Sequence, residues 1–343
     1  MAMNGPARSR RAWIAPGVLL GALLAYALWP WLPLRGTAPP RTLIVYGYSA
    51  AAEAFQQAVL PAFERVWRRE TGERLECVTA FAGSGTVTNQ IIMGVPAALA
   101  IVALEPDAER LAAAGVTRPG SWRELPEQGV AFRTPIVLVV RPGNPRGIRD
   151  FADLARPGVR IVHPDPLTSG GAAWAVLAEY GAGLPAGEAA AEELLRGVWH
   201  NVAAQATSAR AARTQFQNDF GDVLVTYEQD ALIDIRRGRL RGEIVYPRRT
   251  VWTEPKVVIV DRGVDSRDRV AAARLAAFLW EEDTQRLLVE HGFRSVRPEL
   301  NVAAALPALP DAFRVDALGG WGRAKREIVD AAWRQRVLPE LGR

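Results

Sequence analysis

The sequence predicts an α/β protein with mostly parallel sheets and helices on both faces. Short apolar runs of strand length alternate with longer runs at helical spacing from residue 42 onward. Glycine-rich turns stand where strands pass into helices. A chain of 343 residues also buries a full core without disulfide or metal staples.

Residues 42–48 (TLIVYGY) read as the first strand, running into a helix over 51–70 with Phe55, Val59, Phe63 and Val66 at helical spacing. Thr71-Gly72 ends that helix, and 75–81 is the next strand. Ala82-Gly83-Ser84-Gly85 leads into a helix over 86–93, and 97–104 is a buried strand. A strand at 136–141 stops at Pro142-Gly143-Asn144-Pro145, followed by a short helix at 150–155 and a strand at 159–163. Thr168-Ser169-Gly170-Gly171 then opens a helix over 172–181. Further helices are expected at 187–198, 210–217, 228–237 and 268–290, with strands at 222–227, 243–246 and 256–260.

Composition narrows the function. The 49% hydrophobic and 23% charged content is that of an ordinary globular protein. A net charge of +5 and a pI of 9.8 would suit a nucleic-acid partner, but the arginines are spread among Asp and Glu. An electrostatic footprint should be clustered, so no nucleic-acid partner is expected. Cys77 is the only cysteine, which excludes an internal disulfide and a cysteine-cluster metal site, and it reads as a buried strand thiol. His163, His200 and His291 are dispersed without metal-ligand spacing, so neither metal nor cofactor is expected.

The first forty residues form a signal or membrane-anchor segment and linker. Arg8, Arg10 and Arg11 precede a nearly uncharged run from Ala12 to Leu34. Ala25-Tyr26-Ala27 fits a cleavage site, but the run continues far enough to cross a bilayer, at about 20 residues. An apolar anchoring helix in the inner membrane is the favoured expectation, and either reading exports the remainder. Residues 36–40 form the linker.

In open α/β sheets ligands bind where strands end and helices begin, because helix N-termini present unpaired N–H groups and a positive dipole end. Gly83-Ser84-Gly85 and Thr168-Ser169-Gly170-Gly171 both suit an anion there. Either taken alone is equally a helix cap with a tight turn.

Residues 135–180 read PIVLVVRPGNPRGIRDFADLARPGVRIVHPDPLTSGGAAWAVLAEY. This stretch closely resembles the sulfate-binding proteins of ABC importers, with their R-K-G-N-P-K-G-I, D-W-x-D-L and N-P-K-T-S-G-G-A-x-W motifs. The resemblance extends to Gly83-Ser84-Gly85, to Gly221-Asp222-Val223-Leu224-Val225-Thr226-Tyr227-Glu228, to Arg297-Pro298 and to Gly319-Gly320-Trp321. It implies a two-lobed periplasmic-binding-protein fold of type II, with lobe one over 41–135 and 251–343 and lobe two over 136–250. It implies an anion site in which Ser84 donates its hydroxyl from the first lobe. Ser169, Gly170 and Gly171 would donate from a helix N-terminus in the second, with a further backbone N–H at Ala209. Two positions depart from the family. Ser49 stands where the first loop carries an aspartate, and Tyr227 stands where an indole donates; a tyrosine hydroxyl can donate or accept. Tyr227 has the alternative of being a core aromatic, and Glu105 that of a capping carboxylate rather than a cleft residue.

The expected function is a non-catalytic, periplasmic binder delivering sulfate or thiosulfate to an ABC permease and ATPase. The alternatives are a binder of phosphate, molybdate or tungstate, a tethered oxyanion sensor, and, least supported, an enzyme.

Overall fold

The structure is a computed structural model that describes residues 21–24, 26–27 and 40–342. Residues 21–24 and 26–27 are helical and exposed; the rest of the apolar run from Ala12 to Leu34, including Ala25 of the expected cleavage site, lies outside the described residues. No helix among the described residues is long and apolar enough to cross a membrane.

From Arg41 the chain builds two sheets. The first is made by β1 (Arg41–Tyr48), β2 (Leu75–Ala82), β3 (Leu99–Val102) and β10 (Lys256–Ile259), in the order β10-β3-β1-β2. β1 pairs parallel with β2 and β3, which calls for crossover connections, and β10 closes the edge antiparallel to β3. The second sheet runs β11-β4-β7-β5-β6, with β8 (Glu243–Val245) and β9 (Trp252–Thr253) also on β4. Its members are β4 (Phe132–Val140), β5 (Ile161–Pro164), β6 (Val202–Ala206), β7 (Val223–Tyr227) and β11 (Arg294–Ser295). β5 is parallel to β6 and β7, while the long β4 takes only antiparallel partners.

The strand sequences explain the layering. In β4, Ile136, Leu138 and Val140 enter the large core, while Val137 and Val139 join Val162, Phe216 and Leu224 on the other face. β1 does the same, with Leu43 and Val45 on one side and Ile44 and Tyr46 on the other. A strand apolar on both faces belongs inside a covered sheet, and helices supply the cover.

The helices that matter for the site are α1 (Leu60–Thr71), α2 (Ser84–Ile92), α3 (Glu105–Ala113), α4 (Gly170–Gly183), α5 (Glu188–His200), α6 (Ala209–Gln217) and α7 (Glu228–Arg236). The helix expected over 268–290 is two, α8 (Ser266–Phe278) and α9 (Glu282–Glu290). A C-terminal helix, α10 (Ala324–Val337), was not foreseen. It packs on α4 and α5 through Trp333 against Trp199 at 5.0 Å, reinforced by Arg336 to Glu192 at 2.7 Å. The chain passes from the first sheet into the second at β4, returns between β9 and β10, and enters the second sheet again at β11.

Candidate functional site

Three glycines show how closely the strand-to-helix turns approach one another. A Cβ on Gly83 would stand 2.6 Å from the Thr168 carbonyl oxygen and 3.4 Å from that of Thr207. One on Gly170 would stand 2.6 Å from the Ala103 Cβ and 3.2 Å from the Ser84 Cβ. One on Gly171 would meet the Tyr227 ring at 2.9 Å and its hydroxyl at 3.2 Å. The N-termini of α2, α4 and α7 are thereby drawn together from both sheets. α6 joins them, since Thr168 Oγ1 donates to the Thr207 carbonyl at 3.1 Å and α6 packs on the single turn Ser49–Ala51.

Local chemistry sets each turn. Asp165 organises the approach to α4: its carbonyl accepts from Ser169 N at 2.8 Å and Thr168 N at 3.1 Å, and its side chain accepts from Leu167 N at 2.8 Å. Ser169 is the extended N-cap of α4, and its side chain makes no capping bond. Gly170 and Gly171 are the first two helical residues, whose N–H groups have no acceptor within the helix. Ala209 starts α6 behind Ser208, whose hydroxyl accepts from Ala211 N at 3.2 Å.

Two of the expected donors have partners of their own. The Ser169 backbone N–H donates to the Asp165 carbonyl, which leaves the hydroxyl. Ser84 was expected to give its hydroxyl proton to the anion. Instead Ser84 Oγ donates to Asp107 Oδ2 at 2.6 Å and accepts from Ala103 N at 2.9 Å, so its proton is committed within the first sheet's helices. Burial raises the Asp107 pKa above the usual carboxylate range, against the opposing pull of Ser84 and Arg110. Sequence reasoning missed Asp107; an acid in the first turn of α3 was the only signal.

Ser84→Ala is therefore expected to act first on stability. It strips a partner from the buried Asp107 carboxyl and from Ala103 N, at about 1–3 kcal/mol. Urea titration checks this, and an unchanged midpoint would count against the assigned hydrogen bonds.

The aromatic wall is buried. Tyr227 ends β7 and Tyr48 ends β1, with ring centroids 6.0 Å apart. Burial holds both phenols well above their ordinary pKa, helped at Tyr227 by Asp230 and Asp107 and at Tyr48 by Tyr227 and Asp230. Ser49 is buried directly after Tyr48, at the start of its turn.

The remaining candidates stand elsewhere. Glu105 is an α3 N-terminal carboxylate held by Arg123 at 2.6 Å and Lys256 at 3.4 Å. Its burial opposes ionisation, but Lys256, Arg123 and Trp122 outweigh it and hold its pKa low. His163 is buried against Glu179 at 3.1 Å and Trp199. Glu228 accepts both arms of Arg294. Cys77 is half-buried, and burial, with Glu64 nearby, pushes its thiol up to about 12. Among the described residues no group of acids, histidines or cysteine is placed to hold a metal ion.

Residues 43–294 match the family model described as bacterial extracellular solute-binding protein. The chain is 30% identical over 309 residues to the sulfate-binding protein of Synechococcus elongatus, covering 88% of each chain. It is 34% identical over 252 residues to the thiosulfate-binding protein of Pseudomonas aeruginosa, covering 72% of this chain and 76% of that one. Among solved structures it is similar to the sulfate-binding protein SubI from Mycobacterium tuberculosis. There the TM-score is 0.76 at 29% identity, covering 84% of this chain and 99% of the other.

Proposed function

This chain belongs to the bacterial extracellular solute-binding proteins, and from that premise we propose that it captures one sulfate or thiosulfate ion for an ABC importer. The observation that carries the reading is the convergence of the α2, α4, α6 and α7 N-termini around Gly83, Gly170 and Gly171. Several neutral N–H and O–H donors stabilise an anion once water is expelled, and helix dipoles add to them without ordering a long cationic side chain. The proposed donors are the N–H groups of Ser49, Ser84, Gly170, Gly171 and Ala209, the Ser169 hydroxyl and the Tyr227 hydroxyl.

On this reading the two sheets lie at the centres of two lobes that close on the ion, with the chain passing between lobes near residues 135 and 250 and β9 and β11 pairing back onto the start of β4. α10, which the sequence grouped with the first lobe, packs on helices of the second sheet and would move with them. Arg8, Arg10, Arg11 and the apolar run to Leu34 would carry the protein through, or hold it on, the inner membrane, facing the permease from the periplasm.

Calorimetry on the full chain with sulfate, thiosulfate, phosphate, molybdate and tungstate tests the reading. One site per chain is expected for sulfate or thiosulfate. Hydrogen phosphate should bind at least about tenfold more weakly, because its proton would meet donors only. Absence of heat with every ion would overturn the proposal. Equal affinity for phosphate would replace its ligand.

A further inference from the structure

Tyr48 has no role in the site described so far, yet its hydroxyl is buried without a hydrogen-bond partner, and so is that of Tyr227. Both residues are at most 3% exposed. A buried phenol without a partner is destabilising, and most native structures avoid one. Two such phenols side by side, with rings 6.0 Å apart and tilted by 60°, call for a shared acceptor.

The protein itself does not supply that acceptor. The charge of Asp230 bears on both phenols, yet it bonds neither of them, and its Oδ2 is itself buried and unpartnered. Its other oxygen is held by Arg213 at 3.0 Å. Position links the pair to the anion. The Tyr227 hydroxyl lies 3.2 Å from where a Cβ on Gly171 would stand, beside the first N–H groups of α4. Tyr48 directly precedes Ser49, the first residue of the turn that packs on α6.

We propose that Tyr48 is a second phenolic ligand of the oxyanion, so that the Tyr48 and Tyr227 hydroxyls together form one donor face of the site. The inference rests on the oxyanion-binding reading and adds a ligand to it. Each hydroxyl directs its single proton at an anion oxygen, and neither can be replaced by the other because the rings leave different sheets. This face sets specificity by demanding two oxygens that accept. An anion with a protonated oxygen there would lose one of the two bonds.

The test uses the full chain, its Tyr48→Phe and Tyr227→Phe variants, sodium sulfate calorimetry and thermal midpoints without sulfate. Each variant should raise the sulfate Kd about tenfold or more, the scale of one hydrogen bond to a charged acceptor. The sulfate-free midpoint should stay level or rise, since the deleted hydroxyl had no protein partner. Unchanged sulfate affinity in Tyr48→Phe, with the parent binding, overturns the inference and leaves the function standing. Weaker binding together with a matching fall in the sulfate-free midpoint assigns Tyr48 a packing role and overturns it too. A parent that binds no oxyanion removes the function and this inference together.

Discussion

Gly170→Ala is expected to weaken oxyanion binding by roughly 5- to 150-fold, the span that about 1–3 kcal/mol of overpacking produces. The added methyl group would stand 2.6 Å from the Ala103 Cβ and 3.2 Å from the Ser84 Cβ. Neither neighbour can swing away. Ala103 is fixed by its N–H to Ser84 and by its carbonyl, which accepts from Trp174 Nε1 at 2.8 Å. The clash joins the α4 turn to the end of β3 and the start of α2, so it arises where the turns from the two sheets meet. If the lobes separate without ligand, the methyl group harms the closed state alone, and the ligand-free midpoint should fall less than affinity does. Gly85→Ala is the comparison: its Cβ would stand 3.9 Å from the Thr168 carbonyl oxygen, an ordinary contact. Calorimetry showing equal affinities in Gly170→Ala and the parent would remove the close approach from the binding mechanism.

Sequence carried the long apolar strands, because apolar residues on both faces of β1 and β4 report burial directly, but it missed β6, β9 and β11. It also placed the helix starts at Ser84 and Gly170, since Gly-Ser and Ser-Gly-Gly signal helix starts with small side chains. What it could not carry were decisions taken by distant residues. The break between α8 and α9 has no Gly or Pro to announce it. Buried Gln285 makes it, donating to the Leu279 carbonyl at 2.6 Å and the Ala131 carbonyl at 2.8 Å while accepting from Ser295 Oγ at 2.6 Å. The Ser84 hydroxyl followed the same logic. Its sequence neighbours suggested an outward donor, whereas Asp107, 23 residues later, takes its proton. Tyr48 was invisible for a third reason: an unpartnered hydroxyl is a property of packing, and spacing alone does not encode it.

The largest loss of stability is expected from Arg294→Met, at about 3–5 kcal/mol. Arg294 sits in β11 and lays two guanidinium nitrogens on Glu228, each at 2.7 Å, while its third donates to the Pro307 carbonyl at 2.8 Å. Its guanidinium also stands 5.2 Å from the centre of the Trp252 ring. Glu228 is wholly buried, so removing the arginine leaves the carboxylate without its ion-pair partner and with only the Tyr246 hydroxyl beside it. That uncompensated charge, rather than the attraction lost, dominates the cost. The melting midpoint should drop on the order of 10 °C for a chain of this size. Arg294→Met combined with Glu228→Gln should recover most of the loss, because a neutral pair avoids the buried charge. The pair also bears on the site, since Glu228 follows Tyr227 and begins α7. The double variant is therefore expected to regain the melting midpoint while binding sulfate more weakly than the parent, its Tyr227 no longer held from β11. A single Arg294→Met variant that melts with the parent would show that Glu228 finds another partner, and the role of Arg294 would then fall.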